Sequence, residues 1–156
     1  MKFAYVNPFL KSMVNVLSTM ASIECIAGKA YLKSSASAEG HVTGIMGLAG
    51  PHAKGSFAVS FTQSVILDIT ERMLGETLTT IDETVTDMVG ELTNMSAGGA
   101  VAQLSQNGYD LNMATPVVVS GESHHINHSS SGPIIVVPFS TNAGNFFVEI
   151  SFVTIE

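Results

Sequence analysis

Residues 88–96 read MVGELTNMS and align without a gap with residues 13–21, which read MVNVLSTMA. Both methionines, one valine and the leucine are identical between the two stretches. Apolar residues recur in each at the spacing of one helix face, so both stretches are predicted to be helical. The clearest differences are Val16 against Glu91 and Thr19 against Asn94. The match predicts a duplicated fold, with an accidental match as the alternative.

The sequence around the first stretch predicts one helix followed by three strands. Asn7-Pro8 is a typical helix start, because Asn accepts backbone N–H bonds and Pro lacks a donor that the first turn does not need. Residues 24–32 alternate in hydropathy as a strand does, and two further strands are predicted at 40–50 and 55–61.

The second half repeats this order after a short helix. That helix is predicted from Thr62 to Gly75, and a longer one from Thr80 or Asp82 to Gln106. Three strands follow, at residues 113–120, 133–140 and 145–154, with a His/Ser-rich loop at 121–132. We therefore predict an α+β fold, a single domain over residues 1–156 with helix-β-β-β pseudo-repeats at about 7–75 and 80–156.

The composition indicates a folded, acidic protein. The 156 residues are 46% hydrophobic and 12% charged, so the chain is too apolar to be disordered. Six basic against 13 acidic residues give a net charge of -7, which disfavours nucleic acid as a partner. No secretory signal or membrane span is predicted, and the lone Cys25 is compatible with a reducing cytoplasm.

The long helix carries two faces of different chemistry. At about 100° per residue, Asp87, Glu91, Asn94 and Gly98 lie within roughly 60° of each other, opposite the apolar face. Gly90, Gly98 and Gly99 each weaken a helix by about 1 kcal/mol relative to Ala. Two interpretations stay open: close packing inside the fold, or a docking surface beside the carboxylate and the carboxamide.

The loop at 121–132 is a second candidate for chemistry. Three histidines in five positions, with Glu122 nearby, could ligate a transition metal; they are His124, His125 and His128. The surrounding serines and glycines favour an ordinary solvated loop instead, and that is our prediction. We predict no metal site in this chain.

The sequence Glu91-Leu92-Thr93-Asn94 resembles the E-x-x-N signature of the CheC/CheX/FliY family of phosphatases. Asp87 one turn earlier and Pro116 in the following strand fit the same pattern. The N-terminal Asn7-Pro8-Phe9 helix and the Met73-Leu74-Gly75 helix end resemble that family as well. Since the signature occurs once, in the second half, the chain is most similar to the CheX members.

The resemblance implies an enzyme that hydrolyses the aspartyl-phosphate of a phosphorylated CheY-like receiver domain. Asn94 would orient the attacking water, and Glu91 would pair with a lysine of the receiver. Asp87 and Gly98 are candidates for partner binding. The resemblance also implies that the receiver supplies the Mg²⁺ and that this chain needs no cofactor of its own.

Two further hypotheses accompany this one. The alternative function is a non-catalytic interaction module of the same superfamily, like the related domain of flagellar switch proteins. A homodimer is predicted from the resemblance and from the apolar terminal strands at 134–139 and 146–155, which would leave a sheet edge that needs cover.

Overall fold

The computed structural model describes residues 3–128 and 132–155 and has an α+β fold. Three helices are present in this part of the chain: α1 (Phe3–Ala21), α2 (Gln63–Leu74) and α3 (Glu83–Gln106). The strands are β1 (Ile26–Ala27), β2 (Tyr31–Leu32), β3 (Val42–Ala49), β4 (Ala53–Phe61), β5 (Asn112–Met113), β6 (Val117–Ser120), β7 (Ile135–Thr141) and β8 (Gly144–Thr154). None of the described helices is both long enough and apolar enough to cross a bilayer.

All described strands form one antiparallel sheet in the order β1-β7-β8-β4-β3-β5. β2 also pairs with β7, and β6 with β3. Four long predicted strands are confirmed within a few residues, but 24–32 and 113–120 each contain two short strands. The prediction that β7 or β8 forms the sheet edge is wrong, because β1 and β2 cover β7, and β8 lies between β7 and β4.

The ends of α2 and α3 are confirmed, whereas the start of α1 is not. Asp82 caps α3 by accepting a 3.1 Å hydrogen bond from the Val85 amide, and Gly75 ends α2 with φ of 75°. Helix α1 begins at Phe3, so Pro8 lies inside it. Burial explains the extra turn, because the Tyr5 ring stacks on Phe152 with centroids 5.1 Å apart.

The helices cover one face of the sheet, where the apolar core lies. On that face the Phe9 ring of α1 packs against Phe57 of β4 with centroids 5.0 Å apart. Phe139 and Phe146 stack beside it, 4.9 Å apart. All four rings are buried in the core, and α3 lies beside α1 and over β3, β5 and β6.

The opposite face of the sheet is polar and is also buried. Its members alternate with the core residues along the strands; they include Thr43, Ser56, Ser60, Glu149 and Ser151. Two loop segments cover this face and are joined by backbone hydrogen bonds from Ala38 to His124 and from Ile126 to Ala36. The prediction of a solvated loop at 121–132 is therefore wrong for His124 and Ile126, which are buried, whereas residues 121–123, His125 and Asn127 are exposed as predicted. Residues 129–131 lie outside the described residues.

Candidate functional site

The packing of α3 on the sheet determines which of its side chains face outward. Leu92 and Thr93, the two middle residues of the signature, are fully buried. The Thr93 hydroxyl donates a 2.7 Å hydrogen bond to the Val89 carbonyl and lies directly against Gly44 of β3, where a β-carbon would overlap it. With these residues held against the sheet, Glu91 and Asn94 are both exposed, as the helical periodicity predicted.

A groove of about 870 Å³ runs beside the exposed face of α3. Its helix wall is polar and consists of Thr86, Asp87, Gly90, Glu91 and Asn94. Three of the predicted site residues therefore line one surface: the two carboxylates and the carboxamide. The fourth, Gly98, lies one turn further along α3, half-buried, and is not among the residues that line the groove.

The opposite wall of the groove is mainly apolar and comes from the connection between β5 and β6. It is formed by Met113, Ala114, Thr115, Pro116 and Val118. Of these residues only Pro116 was singled out from the sequence. No local signal marks the others, because they reach α3 only through the pairing of β5 and β6 with β3.

The three glycines of α3 have different surroundings, so both sequence interpretations apply. A β-carbon on Gly99 would lie 2.4 Å from the Ser12 hydroxyl oxygen of α1, so this glycine permits close helix packing. At Gly90 a β-carbon would make an ordinary 3.6 Å contact with Val118 across the groove floor. At Gly98 a β-carbon would meet nothing within 4 Å. Only Gly90 therefore contributes open space to the groove itself.

The electrostatic character of the groove is acidic. Asp87 and Glu91 are exposed one turn apart on the same helix face. Among the described residues that line the groove, none carries a positive charge. The site therefore attracts a partner surface with cations, in agreement with the net charge of -7.

The histidine loop forms a buried polar cluster with β4 and β8. His128 contacts the Ser56 hydroxyl through Nδ1 and the Glu149 carboxylate through Nε2, the latter at 2.9 Å. Lys33 Nζ binds the two oxygens of Glu149 at 2.8 and 2.7 Å. Ser56 is itself buried, so a substrate cannot reach its hydroxyl. Within the described ranges, no group of three or more His, Cys, Asp or Glu residues is arranged to hold a metal ion.

Partners on both sides of Glu149 keep its carboxylate ionised. Burial alone raises the pKa of this carboxyl, but hydrogen bonds from His128 and Lys33, and their charges, outweigh that effect and leave the pKa below its usual value. His124 is held in the same way as a structural residue, between Thr43 Oγ1 at 2.6 Å and the Gly121 carbonyl at 2.7 Å. This cluster fastens the loops to the sheet, away from the groove.

An α+β fold with an open acidic groove, lined on one side by an exposed carboxylate and an exposed carboxamide of the same helix, is suited to contact with a macromolecular partner. Comparison with known proteins agrees. The family model "Chemotaxis phosphatase CheX" matches residues 42–140, more than half of the chain. The chain belongs to this family of chemotaxis phosphatases.

Individual relatives extend the similarity to nearly the whole chain. The CheC-like superfamily protein from Shewanella sp. PV-4 is 50% identical with a TM-score of 0.92, covering 98% of this chain and 99% of that one. The CheY-P phosphatase CheX of Thermotoga maritima is 29% identical over 136 residues, 86% of each protein. CheX in the CheX-CheY-BeF3-Mg²⁺ complex of Borrelia burgdorferi is 28% identical with a TM-score of 0.79, covering 95% and 97%.

Proposed function

We propose that this phosphatase hydrolyses the aspartyl-phosphate of a phosphorylated CheY-type receiver domain, with Asn94 and Glu91 as its functional pair. The observation that carries the assignment is that both side chains are exposed, one helical turn apart, on the wall of an open groove. Family membership and a relative found in complex with CheY support the substrate class.

Asn94 is proposed to position the attacking water. The water oxygen attacks phosphorus in line with the scissile bond, the bond from phosphorus to the receiver's carboxylate oxygen breaks, and inorganic phosphate leaves. Such a reaction needs positioning and charge neutralisation more than covalent chemistry from the enzyme. A carboxamide both accepts and donates hydrogen bonds, so it can hold the water and contact a phosphoryl oxygen. Because it is neutral, it does not repel the anionic centre.

Glu91 is proposed to dock the receiver by pairing with a lysine beside the phosphoaspartate. Its exposed carboxylate lies on the same groove wall as Asn94, so one helix could present both groups to one partner site. Asp87, one turn earlier, is proposed to add to the attraction at the rim. The open surface at Gly98 is proposed to let the partner approach α3 closely.

The proposal assigns no cofactor to this chain. Mg²⁺ is proposed to be held by the receiver, where it neutralises phosphoryl charge, as the composition of the Borrelia complex supports. A cytoplasmic location is proposed as well, since that is where a receiver domain would be met. A homodimer is also proposed. The surface proposed for it is the outer strand β6, which pairs with β3 and whose Val117 is 59% exposed.

The test is to mix the protein with a phosphorylated CheY-type receiver from the same organism and to follow phosphate release. Wild-type protein should accelerate release, and Asn94→Ala should lower kcat by about 100-fold or more, since it removes the group that positions the water. Gln106→Ala is the matched control, because this exposed carboxamide lies at the end of the same helix, outside the groove. Unchanged hydrolysis by Asn94→Ala would refute the assignment.

A further inference from the structure

The groove has two walls of different chemistry, and the function above uses only one of them. The α3 wall carries Asp87, Glu91 and Asn94, whereas the facing wall presents Met113, Ala114 and the ring of Pro116. A partner that merely paired charges with the helix would leave this apolar wall in contact with water.

The apolar wall is fixed in place by the sheet. Met113 pairs with Leu48, and Val117 pairs with Ile45, so both ends of the connection are held by β3. Between them the Ala114 amide donates a 3.0 Å hydrogen bond to the Gly47 carbonyl. Pro116 adds its own restriction of the backbone. The wall is therefore preformed, and a ligand that fills the groove has little ordering cost to overcome.

Gly90 keeps the floor of the groove open between the two walls. Its missing side chain faces Val118, and a β-carbon there would already be in van der Waals contact. Any larger side chain would project into the space between Glu91 and the apolar wall. A glycine weakens the helix by about 1 kcal/mol relative to Ala, and the open groove floor is a physical reason for glycine at this position.

We infer that the apolar wall formed by Met113, Ala114 and Pro116 is a second contact site for the receiver domain, and that it takes an apolar side chain lying beside the receiver's cation. This rests on the proposed function and adds to it a chemical requirement on the partner. Receivers with an apolar residue next to the lysine bind, whereas those with a charged residue there are excluded by the cost of burying the charge.

Substitutions at Ala114 separate apolar contact from simple charge attraction. Its side chain is exposed while its backbone is held by Gly47, so a longer side chain can be introduced without disturbing the core. Apolar contact predicts that Ala114→Glu and Ala114→Lys both raise the half-saturating receiver concentration, by about tenfold each, with kcat within about twofold of wild type. Gly90→Leu, which fills the groove from the opposite wall, should act in the same direction.

The controls are Ala102→Glu and Ala102→Lys, at an exposed position of α3 outside the groove. They should change half-saturation by less than about threefold. Opposite responses to the two charges at Ala114 would mean purely electrostatic docking and would overturn the inference, as would an unchanged half-saturation in both variants. Thermal unfolding of each variant checks that the fold is intact.

Affinity for the beryllofluoride-activated receiver, measured by calorimetry, provides a readout that does not depend on catalysis. If wild-type protein binds this receiver but releases no phosphate from the phosphorylated form, the proposed function fails while the Ala114 series still tests the wall. If wild-type protein hydrolyses the substrate and the Ala114 variants bind like wild type, only the inference about the wall fails.

Discussion

Removing the positive charge of Lys33 should strongly destabilise the fold, although this residue does not line the groove. Its ammonium group contacts both oxygens of Glu149, and the two side chains are only 3% and 0% exposed. Lys33→Met keeps most of the side-chain volume and removes the charge. Breaking a buried pair in this way costs about 3–5 kcal/mol, because the remaining carboxylate stays in a low-dielectric environment.

The lower end of that range applies here, because His128 still donates to the carboxylate in the variant. We expect a loss of about 3 kcal/mol in the free energy of unfolding. For a chain of this length, each kcal/mol lowers Tm by roughly 2–4 °C, so Tm should fall by about 6–12 °C. Urea unfolding followed by far-ultraviolet circular dichroism measures the free energy, and calorimetry measures Tm.

The double variant Lys33→Met with Glu149→Gln is the internal control. It removes both charges, so its unfolding free energy should recover to within about 1–2 kcal/mol of wild type. A loss below about 1 kcal/mol in Lys33→Met would show that the unpaired Glu149 carboxylate carries no large cost, and it would refute the reasoning. A double variant that is less stable than the single one would refute the charge argument, since the cost would then come from packing.

The remaining predictions concern the site, the pH response and the repeat. Glu91→Lys should raise half-saturation by the receiver more than it lowers kcat and should weaken the salt dependence of binding, as stopped-flow assays at several ionic strengths would show. Because partners lower the pKa of Glu149, its stabilisation is complete above the unfolded-state value near 4.5 and is lost as pH falls through the folded-state pKa; acid unfolding should be blunted in Glu149→Gln. Gly44→Ala should cost about 1–3 kcal/mol and lower phosphate release, because the new methyl group displaces α3, and an unfolding free energy equal to wild type would contradict this. Val16→Glu with Thr19→Asn should cost about 1 kcal/mol, since Val16 is half-buried and Thr19 exposed, and any phosphate release by this variant with Asn94→Ala would support the duplication.

Local signals in the sequence predicted the elements that depend on local chemistry. Asp82 caps the start of α3 and Gly75 ends α2, and the predicted bounds of both helices agree with the structure to within a residue or two. Thr62 precedes α2 as predicted, but its hydroxyl donates to the Asn145 carbonyl and does not cap the helix. The apolar spacing of α3 also placed Glu91 and Asn94 on the exposed face correctly, because the opposite face of this helix packs against α1 and β3.

Contacts between distant parts of the chain explain what the sequence did not reveal. Asn7-Pro8 has the sequence of a helix start, but the helix begins earlier, at Phe3, because the Tyr5 ring packs against Tyr109 and Phe152. Met20 shares the face of Met13 by periodicity and is nevertheless 50% exposed, one residue before the end of α1 at Ala21. The buried part of the histidine loop had one available signal: Glu149 stands within the apolar run from Phe146 to Ile150, and an acid in such a position needs a buried partner.

Glu91 and Asn94 belong to the middle of a 24-residue helix, and neither lies on a loop. Local unfolding of a protein starts at loops and frayed ends, whereas central turns packed on a core exchange their amide hydrogens only when the whole domain opens. The amides of residues 91–94 should accordingly be among the most slowly exchanging in the chain. On the proposed assignment of Glu91 and Asn94, the functional residues do not unfold separately from the domain, so activity on heating should follow the global unfolding curve and should not be lost at a lower temperature.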